Sequence, residues 1–273
     1  MKIAVLLTCH NRKNKTINCL NALHAADLPL EYCMDVFLVD DGSTDNTSQA
    51  VKESFPHVTI IKGDGKLYWN QGMLLAWKTA AKTKKYDFYL WLNDDTNIYK
   101  NALIELTESS NKFYHKKNII GTTIDPNTKN ISYGGRLNDR SLIIPNGKIQ
   151  KCDLFNGNIV LIPKAVFSSI GFNNKQFRHA LGDFDYGLRS AKNGINSFIC
   201  PNINGECEEH HEFNICFNPN EKLIKRVLNL YKPLGNNPIE FFKFDLLHRT
   251  IFTAIFHFFT IHLRVLFPTL WIK

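Results

Sequence analysis

The first hundred residues alternate apolar runs with helical patterns, and this alternation limits the fold more than any other feature. The apolar runs are KIAVLLT (2–8), DVFLVDD (35–41), HVTIIKG (57–63) and YDFYLWLNDD (86–95). Helical patterns follow them near 15–26, 44–55, 70–83 and 99–111. Continuous apolar strands alternating with helices are typical of a parallel sheet covered on both faces. The pattern predicts an α/β domain.

Polar side chains collect where three of these strands end. They are Thr8, His10 and Asn11 after the first run, Asp40 and Asp41 after the second, and Asp94 and Asp95 after the fourth. In open α/β sheets, ligands bind beyond the carboxyl ends of the strands. These residues therefore predict a binding crevice along one edge of the sheet.

The C-terminal region differs in character. Asn237 and Pro238 predict a helix start, and a helix is expected to continue to about Phe267. Its polar residues recur every three or four positions, at Asp245, Arg249, Thr253, His257, Thr260 and Arg264. A narrow polar stripe on an otherwise apolar helix favours one lying on a membrane surface. A helix docked on the domain or on another protomer, as in a homodimer, remains the alternative.

Charge and cysteine content indicate which partners and which cellular compartment suit the chain. A formal charge of +8 suits an anionic partner such as a nucleotide or an acidic membrane. The basic residues are dispersed without a recognised nucleic-acid motif, so we do not expect nucleic-acid binding. Seven cysteines without regular spacing favour a reducing compartment. The short apolar N-terminus indicates a buried first strand rather than a signal peptide, which together predicts a cytoplasmic protein.

An ordered set of motifs then suggests a family. TCHNR (8–12), VDDGSTDNT (39–47), LNDDT (92–96) and GDFDYGLR (182–189) together resemble glycosyltransferase family 2. The resemblance covers about residues 1–215 and implies a single GT-A domain with a mostly parallel central sheet. It divides into a nucleotide-binding half, about 1–98, and an acceptor-binding half, about 99–215. Residues 216–273 would form an amphipathic helical extension.

The resemblance also assigns donor contacts. Thr8, His10 and Asp41 would line the base pocket, with Asn11 and Arg12 in the same turn. A carboxylate facing the base imide N–H favours a UDP- or dTDP-sugar over a GDP-sugar.

The stretch LYWNQGM (67–73) is similar to rhamnosyltransferase-like members of the family. Lys66 and Asn70 would lie near the diphosphate or the sugar. Trp69 would be a platform for the sugar or, equally well, a core residue.

The resemblance places a divalent cation, Mn²⁺ or Mg²⁺, on the acidic motif. Asp95 would bind the metal and Asp94 the donor, and the cation would relieve their mutual repulsion. The pair is then expected to be unsettled in the absence of metal and donor. His210 or His211 would complete the metal shell. A zinc site built from Cys200, Cys207, Cys216 and these histidines is the alternative, although the spacing lacks paired Cys-x2-Cys hooks.

The last motif implies an inverting mechanism. Asp183 would act as general base on the acceptor hydroxyl, and Asp185 would orient its loop or pair with Arg189 four residues on. Gly182 stands where the family pattern has glutamate. The Asn156-Gly157 turn would lie beneath the acceptor site.

These expectations converge on a metal-dependent glycosyltransferase. It would act in bacterial O-antigen, capsule or other surface polysaccharide synthesis, on a saccharide acceptor that is lipid-linked, as a peripheral protein on the inner face of the cytoplasmic membrane. Two alternatives stay open: a sugar-nucleotide nucleotidyltransferase, and a non-catalytic nucleotide- or sugar-binding partner subunit.

Overall fold

A computed structural model describes residues 1–209 and 215–271 of the chain. Within these ranges the chain forms a large mixed sheet flanked by helices, with a separate two-stranded ribbon. The strands are β1 Lys2–Cys9, β2 Cys33–Asp40, β3 Thr59–Lys62, β4 Phe88–Leu92, β5 Asn97–Ile98, β6 Asn118–Ile124, β7 Ile131–Tyr133, β8 Gly135–Arg136, β9 Gln150–Cys152, β10 Leu154–Phe155, β11 Ile159–Pro163 and β12 Ser197–Glu206. The helices are α1 Lys13–Ala25, α2 Thr47–Ser54, α3 Tyr68–Thr83, α4 Ala102–Asn111, α5 Lys164–Ile170, α6 Gly182–Lys192, α7 Leu223–Leu230, α8 Pro238–His248 and α9 Ile251–Leu266.

The sheet has a parallel half and a mixed half. Its strand order is β3-β2-β1-β4-β11-β6-β12-β5, and β1, β2, β3 and β4 are parallel to one another. Strand β11 is antiparallel to both β4 and β6, whereas β12 is parallel to β6. The predicted α/β class with a mostly parallel central sheet is confirmed.

The core fills both faces of the sheet, as continuous apolar strands require. Trp77 of α3 centres one face, where its ring contacts those of Tyr89, Trp91, Phe167 and Tyr186 at centroid distances of 5.2–5.6 Å. The side chains on the other face come from α1, α4 and the opposite faces of the same strands. A sheet packed on both sides fixes the positions of its strand ends, where the polar residues lie.

The prediction of a single C-terminal helix was wrong, because the region forms a hairpin of two helices, α8 and α9. Arg249 has an extended backbone, and the Thr250 side chain caps α9 by accepting a hydrogen bond from the Thr253 N–H at 3.2 Å. The residues of the predicted polar stripe are therefore divided between two helices and the turn that joins them, and the Asp245 carboxylate bonds the His257 ring at 2.8 Å. The predicted Asn237 cap is confirmed, since its side chain accepts from the N–H groups of Ile239 and Glu240.

Within residues 1–209 and 215–271, no helix has the length and apolar character needed to cross a bilayer.

Candidate active site

A pocket of about 720 Å³ opens at the carboxyl ends of β1, β2 and β4. The start of β11, the N-terminus of α6 and the C-terminal extension close its other sides. Of the residues expected from the sequence, it is lined by Thr8, His10, Arg12, Asp41, Asp94, Asp95, Asn156, Gly157 and Asp183. The crevice predicted from strand ends is therefore a real cavity.

The acidic pair after β4 is held by an arginine. Nη1 of Arg12 lies 2.7 Å from an Asp95 carboxylate oxygen and 3.3 Å from one of Asp94. Both carboxylates are buried, whereas the Arg12 side chain is 41% exposed. This guanidinium offsets part of the repulsion between the aspartates. That the pair is unsettled in the absence of metal and donor stays a prediction.

Arg12 does not balance the charge completely. Burial and the neighbouring Asp95 raise the pKa of Asp94 to about 7, although Arg12 and the Thr16 hydroxyl act in the opposite direction. The carboxylate oxygens of this buried acidic pair are ligands of the kind that Mg²⁺ or Mn²⁺ prefers.

Asp41 organises the loop that leads into α3. Its carboxylate accepts hydrogen bonds from the backbone N–H groups of Gly65 at 2.8 Å, Leu67 at 2.9 Å and Tyr68 at 3.0 Å. The Asp41 carbonyl oxygen in turn accepts from Nδ1 of His10 at 2.6 Å. A carboxylate offers about four lone-pair positions, so one remains for a ligand donor.

Asp183 enters the pocket from the first turn of α6. Its carboxylate accepts from the Gly157 N–H at 3.1 Å and the Phe184 N–H at 2.8 Å. Burial raises the pKa of this carboxyl to about 6, although both N–H groups and the positive charge of Arg136 lower it. A carboxylate with a pKa near working pH is suited to proton transfer.

The Asn156-Gly157 turn fixes the pocket floor. A Cβ at Gly157 would lie 2.3 Å from the Trp69 ring, so only glycine fits there. Trp69 is half-buried, lines the pocket and donates from its indole nitrogen to the Asn93 side chain at 2.7 Å. The Asn156 side chain accepts from Arg136 at 2.8 Å.

Packing leaves no room for a side chain at Gly182, the position where the sequence resemblance implied a glutamate. A Cβ there would lie 2.0 Å from the side-chain oxygen of Asn70. Asn70 is wholly buried, and its amide donates to the carbonyls of Asn174 and Phe177. Asn70 therefore does not line the pocket, because its side-chain polar atoms form hydrogen bonds with the 173–178 segment.

Three further expected residues lie outside the pocket lining. The Asn11 side chain turns away to accept from the Thr44 N–H at 2.7 Å. Lys66 is exposed on the loop beside the pocket. Asp185 is fully buried and pairs with Arg189 at 2.8 Å, as expected, and also with His248 of α8 at 2.9 Å.

The alternative zinc ligands are dispersed in the part of the chain that the structure describes. Cys200 belongs to β12 with its side chain in the core, Cys216 packs beside α7 and α9, and Cys207 lines the pocket 3.6 Å from an Asp95 oxygen. No group of three metal-ligating side chains forms among the described residues. His210 and His211, the expected late metal ligands, lie outside the described residues.

Several pocket residues were not anticipated from the sequence. Tyr68 and His179 line the pocket, as do Leu234 and Phe241 of the C-terminal extension. No local pattern marks Tyr68 or His179, because neither follows a strand end. Leu234 and Phe241 become pocket residues only because α8 packs against α6, which is a tertiary contact.

Comparisons with known proteins agree with this architecture. Residues 4–168 match the sequence model of glycosyl transferase family 2. Among solved structures, S. aureus TarS in complex with UDP-GlcNAc superposes with a TM-score of 0.57 at 15% identity, covering 97% of this chain and 72% of TarS. The mannosyltransferase PcManGT from Pyrobaculum calidifontis, in complex with GDP-Man and Mn²⁺, superposes with a TM-score of 0.56 at 14% identity. This match covers 99% of this chain and 76% of PcManGT.

A third structure, GalNAc-T7 with UDP, GalNAc and Mn²⁺, superposes with a TM-score of 0.58 at 14% identity. Here the match covers 76% of this chain and 43% of GalNAc-T7. Comparison with curated protein sequences gave no match. At these identities the structural likeness establishes the GT-A fold.

Proposed function

Because the chain belongs to glycosyl transferase family 2, we propose that it transfers a sugar from a UDP- or dTDP-sugar to an acceptor hydroxyl with inversion. One observation carries the proposal: the Asp183 carboxylate opens into the same pocket as Arg12, Asp94 and Asp95. An acidic, cation-accepting group and a separate carboxylate with a raised pKa are the two parts that such a reaction needs.

Recognition of the base rests on Asp41 and His10. After its three backbone hydrogen bonds, the Asp41 carboxylate keeps room for one N–H donor. The imide N–H of uracil or thymine supplies one donor, which favours UDP and dTDP. His10 is exposed at the pocket wall with Nδ1 already engaged, so its flat ring is held in place to stack on the base.

The residues fit a divalent cation. Asp95, with Asp94 beside it, would hold the ion, and two carboxylates with substrate phosphates are a usual environment for Mg²⁺. When bound, the ion offsets negative charge on the departing diphosphate. Mn²⁺ accompanies nucleotides in GalNAc-T7 and PcManGT, which supports this assignment. Arg12 is long and exposed enough to move from the carboxylates to a phosphate.

Asp183 acts as the general base. Its two backbone hydrogen bonds from Gly157 and Phe184 fix the carboxylate, so that it can accept the acceptor hydroxyl proton as that oxygen attacks the anomeric carbon. Asp185 does not contact substrate; it anchors α6 through Arg189 and His248. The Asn156-Gly157 turn supports the acceptor from below.

The acceptor is a saccharide carried on a lipid. We assign residues 1–215 to the catalytic domain and residues 216–273 to an extension. Over its described part, 216–271, the extension presents apolar side chains to solvent. On α9 these include Phe252, Phe256, Phe259 and Leu263. The extension contains eight Lys and Arg residues against three Asp and Glu residues. An apolar helix face with a positive surround suits an anionic membrane surface.

This setting favours a role in bacterial surface polysaccharide assembly, and the LYWNQGM stretch favours a deoxysugar donor of the rhamnose type. A homodimer that covers α9 is the alternative occupant of the apolar face. Family membership and the intact Asp41, Asp95 and Asp183 weigh against a nucleotidyltransferase and against a non-catalytic subunit.

A thermal-shift comparison of nucleotides tests the donor assignment. With Mn²⁺ present, UDP or dTDP should raise the melting temperature more than GDP or AMP at equal concentration. An Asp41→Asn variant should lose this preference. Its side chain has an NH₂ group in place of one carboxylate oxygen, and an NH₂ group turned toward the base cannot accept the base N–H. If GDP or AMP stabilised the protein as strongly as UDP and dTDP, the proposed base recognition would be wrong.

A further inference from the structure

His179 lines the pocket beside Tyr68. It belongs to the segment between α5 and α6, and its ring packs edge-on against Tyr68 with centroids 6.4 Å apart. The segment is fixed on both sides: the Arg178 carbonyl accepts from the Asn70 N–H at 3.0 Å, and the Arg178 guanidinium pairs with Glu240 at 2.8 Å. The position of the His179 ring is therefore set by the fold.

The two ring nitrogens of His179 have different surroundings. Nδ1 is buried and has no hydrogen-bond partner. His179 lines the pocket, and Nε2 is the ring nitrogen left to reach it. A buried N–H without an acceptor is the rarer and costlier arrangement. We therefore assign the proton to Nε2, which makes His179 a donor toward the pocket.

The ring stays neutral near pH 7. Burial, reinforced by the positive charge of Arg12, lowers the pKa of His179 to about 4. His179 therefore contributes a hydrogen bond rather than a charge. The effect of Arg12 on this pKa places its guanidinium near the His179 ring.

We infer that Nε2–H of His179 donates a hydrogen bond to the diphosphate of the nucleotide-sugar donor, with Tyr68 holding the ring in position. This inference rests on the proposed function. A neutral donor fixed next to Arg12 suits the growing charge on the departing diphosphate. His179 would then contact the phosphate groups and leave the base and ribose to Asp41 and His10.

A pair of substitutions separates this role from a structural one. His179→Phe keeps a ring against Tyr68 and replaces the unpaired Nδ1 with carbon, so the melting temperature should be unchanged or raised. It removes the Nε2 donor. His179→Gln places an amide N–H at a similar reach and should restore the contact.

Calorimetry with UDP and UMP, with and without Mn²⁺, measures the contact. A hydrogen bond to a charged group is worth about 1.5–3 kcal/mol, so His179→Phe should weaken UDP binding roughly 10- to 100-fold. UMP binding should change by less than about threefold because UMP lacks the second phosphate, and His179→Gln should recover most of the UDP affinity.

Three results for His179→Phe would overturn the inference. They are an equal loss of affinity for UDP and UMP, an unchanged affinity for UDP, and a lower melting temperature without a selective loss of UDP affinity. These results would leave the proposed function standing. Failure of the unsubstituted protein to bind either nucleotide would instead overturn the proposed function, and this inference with it.

Discussion

At the scale of single residues, Arg12 explains how two adjacent buried aspartates coexist. Its guanidinium bridges Asp94 and Asp95 and offsets part of the repulsion between them. The same contact places Arg12 in competition with a metal for the carboxylates. If the ion replaced Arg12 on the carboxylates and Arg12 moved to a donor phosphate, metal binding and donor binding would be coupled.

The competition can be measured with Arg12→Gln. Without metal, the variant should melt below the unsubstituted protein, because two buried carboxylates lose their counter-charge. Mn²⁺ should then raise its melting temperature more than it raises that of the unsubstituted protein. Lys13→Gln removes a positive charge from the neighbouring exposed residue and should behave as unsubstituted. Equal Mn²⁺ shifts in all three proteins would show that Arg12 does not compete.

The raised pKa of Asp183 predicts a pH dependence. The base must be ionised to accept a proton, and its pKa is about 6. Transfer should therefore fall about tenfold per unit as pH drops below that value and level off above it. Asp183→Asn should lower kcat by roughly 100- to 10,000-fold while UDP affinity stays the same. A pH-rate profile that keeps its acid limb in this variant would assign the limb to another group.

At the scale of elements, α8 of the α8–α9 hairpin supports one wall of the pocket through contacts with α6 and with the segment that precedes α6. His248 of α8 bonds the buried Asp185 of α6, and Glu240 of α8 bonds Arg178 beside His179. Phe244 packs with Phe177 in the same contact. Truncation at residue 238 would thus disturb the site, so membrane contact must be tested by substitutions on α9.

His248→Ala tests this support. The loss of a hydrogen bond to a buried carboxylate costs about 1–3 kcal/mol, which corresponds to a melting temperature lower by roughly 3–8 °C for a chain of this size. Asp183 lies on the same helix, so kcat should fall as well. His57→Ala, at an exposed position, should change neither quantity. A melting temperature and kcat like those of His57→Ala would show that α6 does not depend on this contact.

At the scale of the whole molecule, the apolar face of α9 should bring the protein to anionic lipid. Vesicles containing phosphatidylglycerol should retain the protein in a flotation assay, and phosphatidylcholine vesicles should retain less. Replacing Phe252, Phe256 and Phe259 with serine should abolish retention, whereas Leu30→Ser, at another fully exposed apolar position, should not. If the unsubstituted protein were a dimer that the triple variant converts to monomer, with no lipid retention, α9 would be a protomer interface.

The sequence predicted the sheet and its functional edge because both follow from local patterns. Strand periodicity and strand-end polar residues placed Thr8, Asp41 and Asp94 in one pocket. Long-range packing could not be read in this way. The Asn70 side chain fills the space that a residue larger than Gly182 would need, and the turn at Arg249 folds a helix that looked continuous. His179 escaped notice for the same reason, since only the folded chain sets it against Tyr68.

Release of nucleoside diphosphate from nucleotide-sugars tests the central claim most directly. With Mn²⁺, the protein should hydrolyse a UDP- or dTDP-sugar slowly, or transfer its sugar when a saccharide acceptor is present. Chelation with EDTA or Asp95→Asn should abolish release, and Asp183→Asn should still bind the donor. Release that continued unchanged in Asp95→Asn, or no release from any nucleotide-sugar in a panel that includes UDP-, dTDP- and GDP-sugars, would contradict the account.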